Sequence, residues 1–172
     1  MNRLDREYFS KNAVQIAQDL LGKTLVRKFD DGSVLRAPIV ETEAYFGFED
    51  RANHASKGRT PRTEIMFARG GVIYVYLIYG IHWLLNIVTG SEGHPEAVLI
   101  RGVYGISGPG RIGKRLKLDR SFYGENIENS HRIWIEDTVI NGKISTSPRI
   151  GIAYAGTPWK DKLWRFELKP IN

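Results

Sequence analysis

GVIYVYLIYGIHWLLNIVTG, residues 71–90, is the stretch that decides the fold. β-Branched and aromatic residues dominate both of its halves, which is the composition that strands favour. Gly80 interrupts the run directly after Tyr79. The segments 71–79 and 81–89 therefore predict two strands of a β-hairpin whose tip carries Tyr79 and Gly80.

Further strands are expected on both sides of this hairpin. An Asp31-Gly32 turn signal separates the first two of them, and alternating or β-branched runs mark the others. The predicted strands are Thr24–Phe29, Val34–Phe46, Glu96–Tyr104, Arg132–Glu136, Arg149–Ala153 and Leu163–Leu168. So many strands joined through hairpins predict an antiparallel-rich sheet.

Helices are fewer. Apolar residues recur at helical spacing over Lys11–Leu21, with Ser10 as the predicted cap and Gly22 as the terminator. Gly108-Pro109-Gly110 opens a second, basic helix that is predicted to run through Leu118. The sequence thus predicts an α+β fold: one domain over residues 1–172, with a curved, mostly antiparallel sheet flanked by helices and a protruding hairpin.

Composition excludes several classes of protein. The chain has no cysteine, so disulfides, thiolate catalysis and iron–sulfur clusters are excluded. Its longest apolar runs, such as 72–78, fall far short of the roughly 20 residues that a membrane helix needs. The N-terminal MNRLDREYFSKN has no hydrophobic signal segment. We therefore expect a cytoplasmic protein without a membrane partner.

Charge is distributed unevenly along the chain. Lysine and arginine number 25 and acidic residues 19, a net charge of +6. Residues 41–50 carry four carboxylates and no base, whereas residues 57–69 carry four bases and one acid, and residues 101–120 six bases and one acid. An acidic segment between two basic ones suggests a polyanion held at the flanks, with carboxylate chemistry between them. An ordinary solvated basic surface is the alternative.

The glycine-rich GPGRIGKR, residues 108–115, approaches a P-loop but departs from it. Arg115 stands where a P-loop needs Ser or Thr, and Pro109 lacks one of the backbone donors. A basic helix that contacts nucleic-acid phosphates explains the segment better. The predicted phosphate contacts are Arg59, Arg62, Arg111, Lys114 and Arg115.

No metal centre is predicted. The four histidines lack ligand spacing. Asp50 and His54 lie four residues apart and not far from Glu43, but a hydrogen-bonded loop histidine explains His54 better than a metal ligand. We expect no cofactor.

Carboxylates and tyrosines are concentrated between residues 41 and 86. Glu41 and Glu43 share one face of their strand, and Tyr45 continues that face. Tyr74 and Tyr76 share a face of theirs. Tyrosines in strands usually pack, but inward aromatic rings can also hold an extruded base, and an exposed ring at a hairpin tip can wedge between stacked bases.

Four ordered blocks carry a resemblance to a known family. They are VETEAYFGFEDRANHASKGRTPR (40–62), MFARGGVIYVYLIYGIHWLLNIVTG (66–90), VLIRGVYGISGPGRIGK (98–114) and SPRIGIAYAG (147–156). Together they resemble the alkyladenine (3-methyladenine) DNA glycosylase family, and the similarity extends from DLLGKTLV at 19–26 to LWRFEL at 163–168. Because the chain begins directly at this region, it is similar to the bacterial members.

The resemblance implies a role for individual residues. Glu43 is the implied general base, and Arg101 and the main-chain carbonyl of Ile150 are implied to hold the attacking water. Tyr79 matches the residue that intercalates into DNA. The implied lining of the flipped-base pocket is Tyr45, His54, Tyr76 and the gate residue Asn86.

Two departures concern DNA contact and lesion preference. Arg111 stands where the family frequently has lysine, which preserves a phosphate contact, whereas Ile81 and 84–85 vary the apolar residues after the wedge. The resemblance implies a monomeric, monofunctional glycosylase of base-excision repair that acts on double-stranded DNA containing damaged purines. The rival hypothesis is a non-catalytic nucleic-acid-binding module with an aromatic stacking platform.

Overall fold

Strand β2, Val34–Phe46, is the centre of the architecture because it pairs with neighbours on both of its edges. The computed structural model describes residues 2–171. The other strands in this range are β1 (Thr24–Lys28), β3 (Ile73–Ile78), β4 (His82–Val88), β5 (Glu96–Val103), β6 (Ile106–Ser107), β7 (Ile133–Glu136), β8 (Gly142–Ser147) and β9 (Arg165–Pro170). All pairings among these nine strands are antiparallel.

The strand order is β3-β4-β5-β2-β1-β7, with β6 added to β5 and the β8–β9 pair added to β2. Two short helices, α1 (Ala13–Asp19) and α2 (Pro109–Arg115), accompany the sheet. Short 3-10 helices occupy Tyr8–Ser10, His54–Lys57, Glu64–Phe67, Arg120–Phe122, Ala153–Ala155 and Trp159–Asp161. This arrangement confirms the predicted α+β class. None of the described helices has the length and apolar character needed to cross a bilayer.

Alternation along the strands creates two differently covered faces of the sheet. Val75 of β3 and Ile87 of β4 belong to the main core, which also takes in the apolar residues of α1 and α2. Their neighbours Tyr74 and Val88 belong to a second cluster, which is completed by side chains of the segment 54–67. Because successive side chains of a strand point to opposite faces, this segment covers the face away from the main core.

The helix boundaries differ from the sequence prediction in two places. Ser10 is not the cap of α1: the side chain of Asn12 accepts a hydrogen bond from the Gln15 N–H at 3.0 Å, so α1 starts at Ala13. Helix α2 ends before Leu118, because Lys117 adopts φ of 51°, a left-handed conformation that an α-helix cannot continue.

The strand predicted over Arg149–Ala153 was wrong. The Arg149 side chain turns inward and Gly151 adopts φ of 74°, so this segment forms a turn. The strand that precedes β9 is instead β8, whose sequence GKISTS has one apolar residue, Ile144, and therefore no alternating apolar pattern.

Candidate active site

Two shifts in the pairing register between β2 and β5 determine how the acidic side chains of the site are placed. Arg101 lies between the two β5 residues that pair with Glu41 and Thr42, so it is the extra residue of a β-bulge. A bulge redirects a side chain out of the regular alternation. The Arg101 guanidinium donates from Nε to Glu41 Oε1 at 3.1 Å and from Nη1 to Glu43 Oε1 at 3.0 Å.

Glu43 is fully buried and held at both of its oxygens. Oε1 bonds to Arg101, and Oε2 accepts the backbone N–H of Ile150 at 2.9 Å. Burial raises the pKa of Glu43, and the Arg101 charge and the Ile150 N–H only partly offset this rise. The result is a fixed carboxylate of increased basicity.

A second arginine, Arg165, shares Glu41 with Arg101. The same Glu41 oxygen that accepts from Arg101 also accepts from Arg165 Nε at 2.7 Å, and Arg165 continues to Glu167 Oε1 at 2.8 Å. The alternation of side chains along a strand correctly predicted that Glu41 and Glu43 lie side by side. Arg165 was not anticipated, because it lies more than 120 residues further along the chain.

A cavity with aromatic walls lies near Glu43, whose charge acts on two of its lining residues, Tyr45 and Tyr76. The Tyr45 phenol has a raised pKa, first because it is removed from water and then because the Glu43 charge is near. The cavity is lined by Tyr45, Asn53, His54, Met66, Tyr74, Tyr76, Asn86 and Ala97. Its volume is about 10 Å³, which is space for about one water molecule. The structure therefore brings together all four predicted pocket residues, but the space between them is too narrow for a purine.

His54 contacts the predicted pocket residue Tyr76 and two side chains that were not assigned to the pocket, Tyr74 and Arg62. Its ring lies edge-on to Tyr76, with centroids 4.6 Å apart, and its Nδ1 is 3.2 Å from the Tyr74 hydroxyl and 3.3 Å from Arg62 Nη2. Because arginine only donates, the Arg62 contact assigns Nδ1 as an acceptor and the proton to Nε2. Partial loss of water contact and the Arg62 charge lower the His54 pKa to about 4, so the ring is neutral at pH 7.

Asn86 lines the cavity and also serves the backbone. It is buried in β4 opposite Tyr74 of β3, and its Nδ2 donates to the Tyr74 carbonyl at 3.3 Å. Both readings of this residue, as a gate and as a partner of backbone groups, are thus compatible with its position. This bond engages the Nδ2 end of the Asn86 amide.

The hairpin tip is exposed and strained. The Ile81 N–H donates to the Ile78 carbonyl at 3.2 Å, and both central residues have positive φ, 53° for Tyr79 and 67° for Gly80. This is the conformation of a type I′ turn, which favours Asn or Gly at both positions. A left-handed conformation costs a side chain such as that of Tyr79 about 1–2 kcal/mol. Tyr79 is nevertheless 85% exposed, so packing does not explain its presence.

Helix α2 packs against β4 close to the tip of the hairpin, at Trp83. A Cβ atom at Gly113 would lie 1.8 Å from the Trp83 carbonyl oxygen, so only glycine allows this close approach. Helix packing thereby accounts for this glycine of the glycine-rich segment without a phosphate cradle. A groove between hairpin and helix, about 420 Å³ in volume, is lined by Lys114 and Lys117 together with Ile81.

The predicted phosphate contacts divide into two groups. Arg111, Lys114 and Arg115 are exposed on α2, and none of them has an ion pair within residues 2–171. Arg59 is paired with Glu64 at 2.7 Å on the surface of the 50–70 segment. Arg62, in contrast, contacts the aromatic cluster described above.

The acidic groups near the site are engaged by arginines rather than arranged around an ion. Across the described residues, no three side chains of His, Asp or Glu converge as metal ligands would. Asp50 forms a buried two-oxygen pair with Arg149, and His54 faces Arg62 and Tyr74. Residues 50–70 form a loop with two 3-10 helices.

The chain is similar to known proteins over most of its length. The family model for methylpurine-DNA glycosylase (MPG) matches residues 7–107 and 104–170. Relatives named "Putative 3-methyladenine DNA glycosylase" include a protein of Psychrobacter cryohalolentis, 42% identical over 87% of this chain and 84% of its own length. Those of Methanocella arvoryzae, 41% identical over 95% and 90%, and Sodalis glossinidius, 43% identical over 95% and 95%, carry the same name.

Proposed function

The chain belongs to the methylpurine-DNA glycosylase family, and from this premise we propose that it extrudes damaged purines from duplex DNA and hydrolyses their N-glycosidic bonds. The substrates are alkylated or deaminated purines, and the reaction is the first step of base-excision repair. One observation carries the proposal: a completely buried carboxylate, Glu43, is held at both oxygens and lies near two tyrosines, Tyr45 and Tyr76, that line an aromatic cavity. A passive nucleic-acid-binding module gains nothing from a buried carboxylate next to a polyanion.

The chemistry needs one base and one water molecule. Glu43 accepts a proton from water while the water oxygen forms a bond to C1′ of the sugar, and the bond from C1′ to the purine breaks with its electron pair going to the base. The carboxylate also stabilises the positive charge that develops on the sugar. An alkylated purine carries a positive charge and leaves as a neutral base, so no covalent lysine intermediate is required.

Base extrusion is assigned to the hairpin. The exposed Tyr79 ring would fill the gap left by the extruded nucleotide, and its backbone strain is consistent with a residue retained for function. The extruded base enters between Tyr45 on one side and His54 and Tyr76 on the other, which requires the narrow cavity to widen. Arg111, Lys114 and Arg115 contact phosphates beside the hairpin, with Arg59 and Arg62 on the opposite side. We expect the protein to act as a monomer.

Duplexes that each contain one defined lesion test the proposal. Methylated, deaminated and etheno purines are incubated with the protein in the presence of a chelator, and both free base and strand breaks are measured. We expect release of free base that the chelator does not reduce, and an abasic strand that breaks only after alkali. Absence of base release from every duplex would contradict the proposal, and strand breakage without alkali would contradict the monofunctional reaction.

A further inference from the structure

A buried ion pair stands directly behind the proposed catalytic carboxylate. Asp50 and Arg149 have no exposed side-chain surface, and they are joined by two hydrogen bonds, Nη1 to Oδ2 at 2.6 Å and Nη2 to Oδ1 at 2.9 Å. The residues are 99 positions apart in sequence. Nothing in the proposed reaction requires either of them to touch the substrate.

The pair connects three parts of the site. Arg149 Nη1 also donates to the carbonyl of Ala44, the residue between Glu43 and Tyr45, at 3.0 Å. Its Nη2 donates to the Trp159 carbonyl at 3.2 Å, and its guanidinium carbon lies 5.0 Å from the centre of the Tyr45 ring. One side chain thereby holds the β2 backbone and the Tyr45 ring.

Asp50 and Arg149 also fix the turns from which they extend. The Asp50 carboxylate accepts the N–H groups of Phe46 at 3.0 Å and Ala52 at 3.1 Å, which ties the end of β2 to the start of the 50–70 segment. Arg149 immediately precedes Ile150, whose N–H donates to Glu43 Oε2. Any displacement of Arg149 therefore moves the donor that orients the carboxylate.

Stability alone is a weak explanation for this arrangement. Burying two charges costs several kcal/mol per ion, and apolar residues of similar volume often replace such a pair without loss of stability. Arg149 Nε, moreover, is buried with no hydrogen-bond partner in the described structure. A pair that leaves a donor unsatisfied is better explained by the geometry that it imposes.

We infer that Asp50 and Arg149 are positioning residues that hold the Ile150 N–H and the Tyr45 ring in register with Glu43. The inference rests on the proposed function and deepens it. Because Arg149 reaches the Ala44 and Trp159 carbonyls only while both of its nitrogens are aligned on Asp50, loss of the carboxylate loosens all of these contacts together. A misplacement of about 1 Å can reduce a reaction rate by roughly 100-fold.

The pair has an electrostatic consequence that a purely structural role lacks. Arg149 is one of the charges that lower the Glu43 pKa, and Asp50 neutralises it. Removing the Asp50 charge favours the ionised form of Glu43, so its pKa falls. Among the described residues, the other charged or titratable groups near Glu43 are Arg101 from β5, Glu41 and Tyr45 from β2, Tyr76 from β3 and Tyr154 from the 3-10 helix at 153–155.

Asp50→Asn in the full chain tests the inference, with Glu136→Gln as the matched control. Glu136 is also buried and paired with an arginine, Arg36, but lies on β7 at the far edge of the sheet. The single-turnover rate of base release is measured from pH 4 upward, together with affinity for the lesion duplex. For Asp50→Asn we expect a plateau rate about 100-fold lower, little change in affinity, and an acidic limb shifted to lower pH. The control should retain the plateau rate and the limb.

Arg149→Lys is the second test of the positioning role, and it is used if Asp50→Asn does not fold. Lysine keeps the charge beside Asp50 but cannot span both carboxylate oxygens and two carbonyls, so we expect a lower plateau with the acidic limb unmoved. A plateau for either variant within threefold of the control, or an equal loss of lesion binding, would overturn the positioning role while wild-type base release still supports the proposed function. Absence of base release by the wild type would overturn both.

Discussion

Glu43, the proposed general base, and Tyr79, the proposed intercalating residue, lie in opposite kinds of environment. Around Glu43 every oxygen is hydrogen-bonded and no side-chain surface is exposed, whereas Tyr79 at the hairpin tip is 85% exposed and lies in an unfavourable backbone conformation. The contrast indicates that the proposed general base is already held in place in the free protein, whereas the proposed intercalating residue has no packing partners there. Variants at the two residues should therefore fail in different steps.

Glu43→Gln should give the largest effect. The amide keeps the size of the side chain but cannot accept a proton from water, so we expect base release to fall at least 100-fold, within the range for removal of a general base. Lesion-duplex binding should stay within about tenfold, because the loss falls on the transition state. Single-turnover excision near the wild-type rate would contradict the assignment, and a parallel loss of binding would indicate a structural role with Arg101.

Tyr79→Ser should act on extrusion rather than on chemistry. Stacking contributes about 1–3 kcal/mol per base, so we expect a reduction of roughly 5- to 150-fold on a paired lesion. The reduction should be smaller when the lesion is mismatched, since unpairing then costs less. Fluorescence of a base analogue next to the lesion reports the extruded fraction. Equal reductions on paired and mismatched lesions would show that Tyr79 only closes the hairpin.

Asn86→Ser should change selectivity. Guanine carries an exocyclic N2 amino group that hypoxanthine lacks, and a closely packed amide can exclude it. Shortening the side chain should therefore raise the release of normal guanine from mismatches relative to hypoxanthine by several-fold. Glu43→Gln, in comparison, should abolish both. The ratio of the two single-turnover rates is the measurement, and a ratio equal to that of the wild type would leave Asn86 with its backbone role only.

Lys114→Ala should weaken binding without affecting discrimination. Each neutralised phosphate contributes about 0.9 to the slope of log affinity against log salt on duplex DNA. We expect the slope to fall by roughly one, for damaged and undamaged duplexes alike. Titrations at several salt concentrations measure it. If the slope does not change, α2 faces away from the duplex.

Tyr79→Asn should give the smallest effect and the one of opposite sign. Asparagine tolerates the left-handed conformation better than tyrosine, so the free protein should gain up to about 1 kcal/mol, equivalent to roughly 2–4 °C in Tm. Excision should meanwhile decrease as for Tyr79→Ser. Thermal unfolding is compared with that of Gly80→Ala, which places a side chain at the other positive-φ position and should lower Tm. A Tm for Tyr79→Asn below that of the wild type would show that the tyrosine is not strained.

Local patterns predicted those parts of the fold that depend on local physics. The bounds of β2 and the hairpin with Tyr79 and Gly80 at its tip were predicted correctly, because alternation and turn chemistry are visible over a few residues. The polar strand β8 was missed, because its pairing with β9 rather than its own composition makes it a strand. The Asn12 cap was missed because Ser10 was an equally good candidate by residue type.

In the site, too, features that depend on contacts between distant segments were missed. The resemblance assigned roles to Glu43 and the pocket residues, but it did not indicate the bulge that turns Arg101 toward both glutamates. Nor did it indicate that Arg149, which the sequence assigned to a strand, is paired with Asp50 across 99 residues. Bidentate pairs and bulges arise only when distant segments meet, so no window of sequence contains them.

The narrowness of the cavity has a consequence for competition inside a cell. Free purines and purine nucleotides are abundant metabolites, and an open slot between aromatic rings would bind them as readily as it binds a base in DNA. A cavity of about 10 Å³ admits none of them until its walls move. If contacts along the duplex supply the free energy of that movement, only a base attached to DNA reaches the carboxylate at full affinity. The protein then remains available for rare lesions in the presence of a large excess of soluble look-alikes.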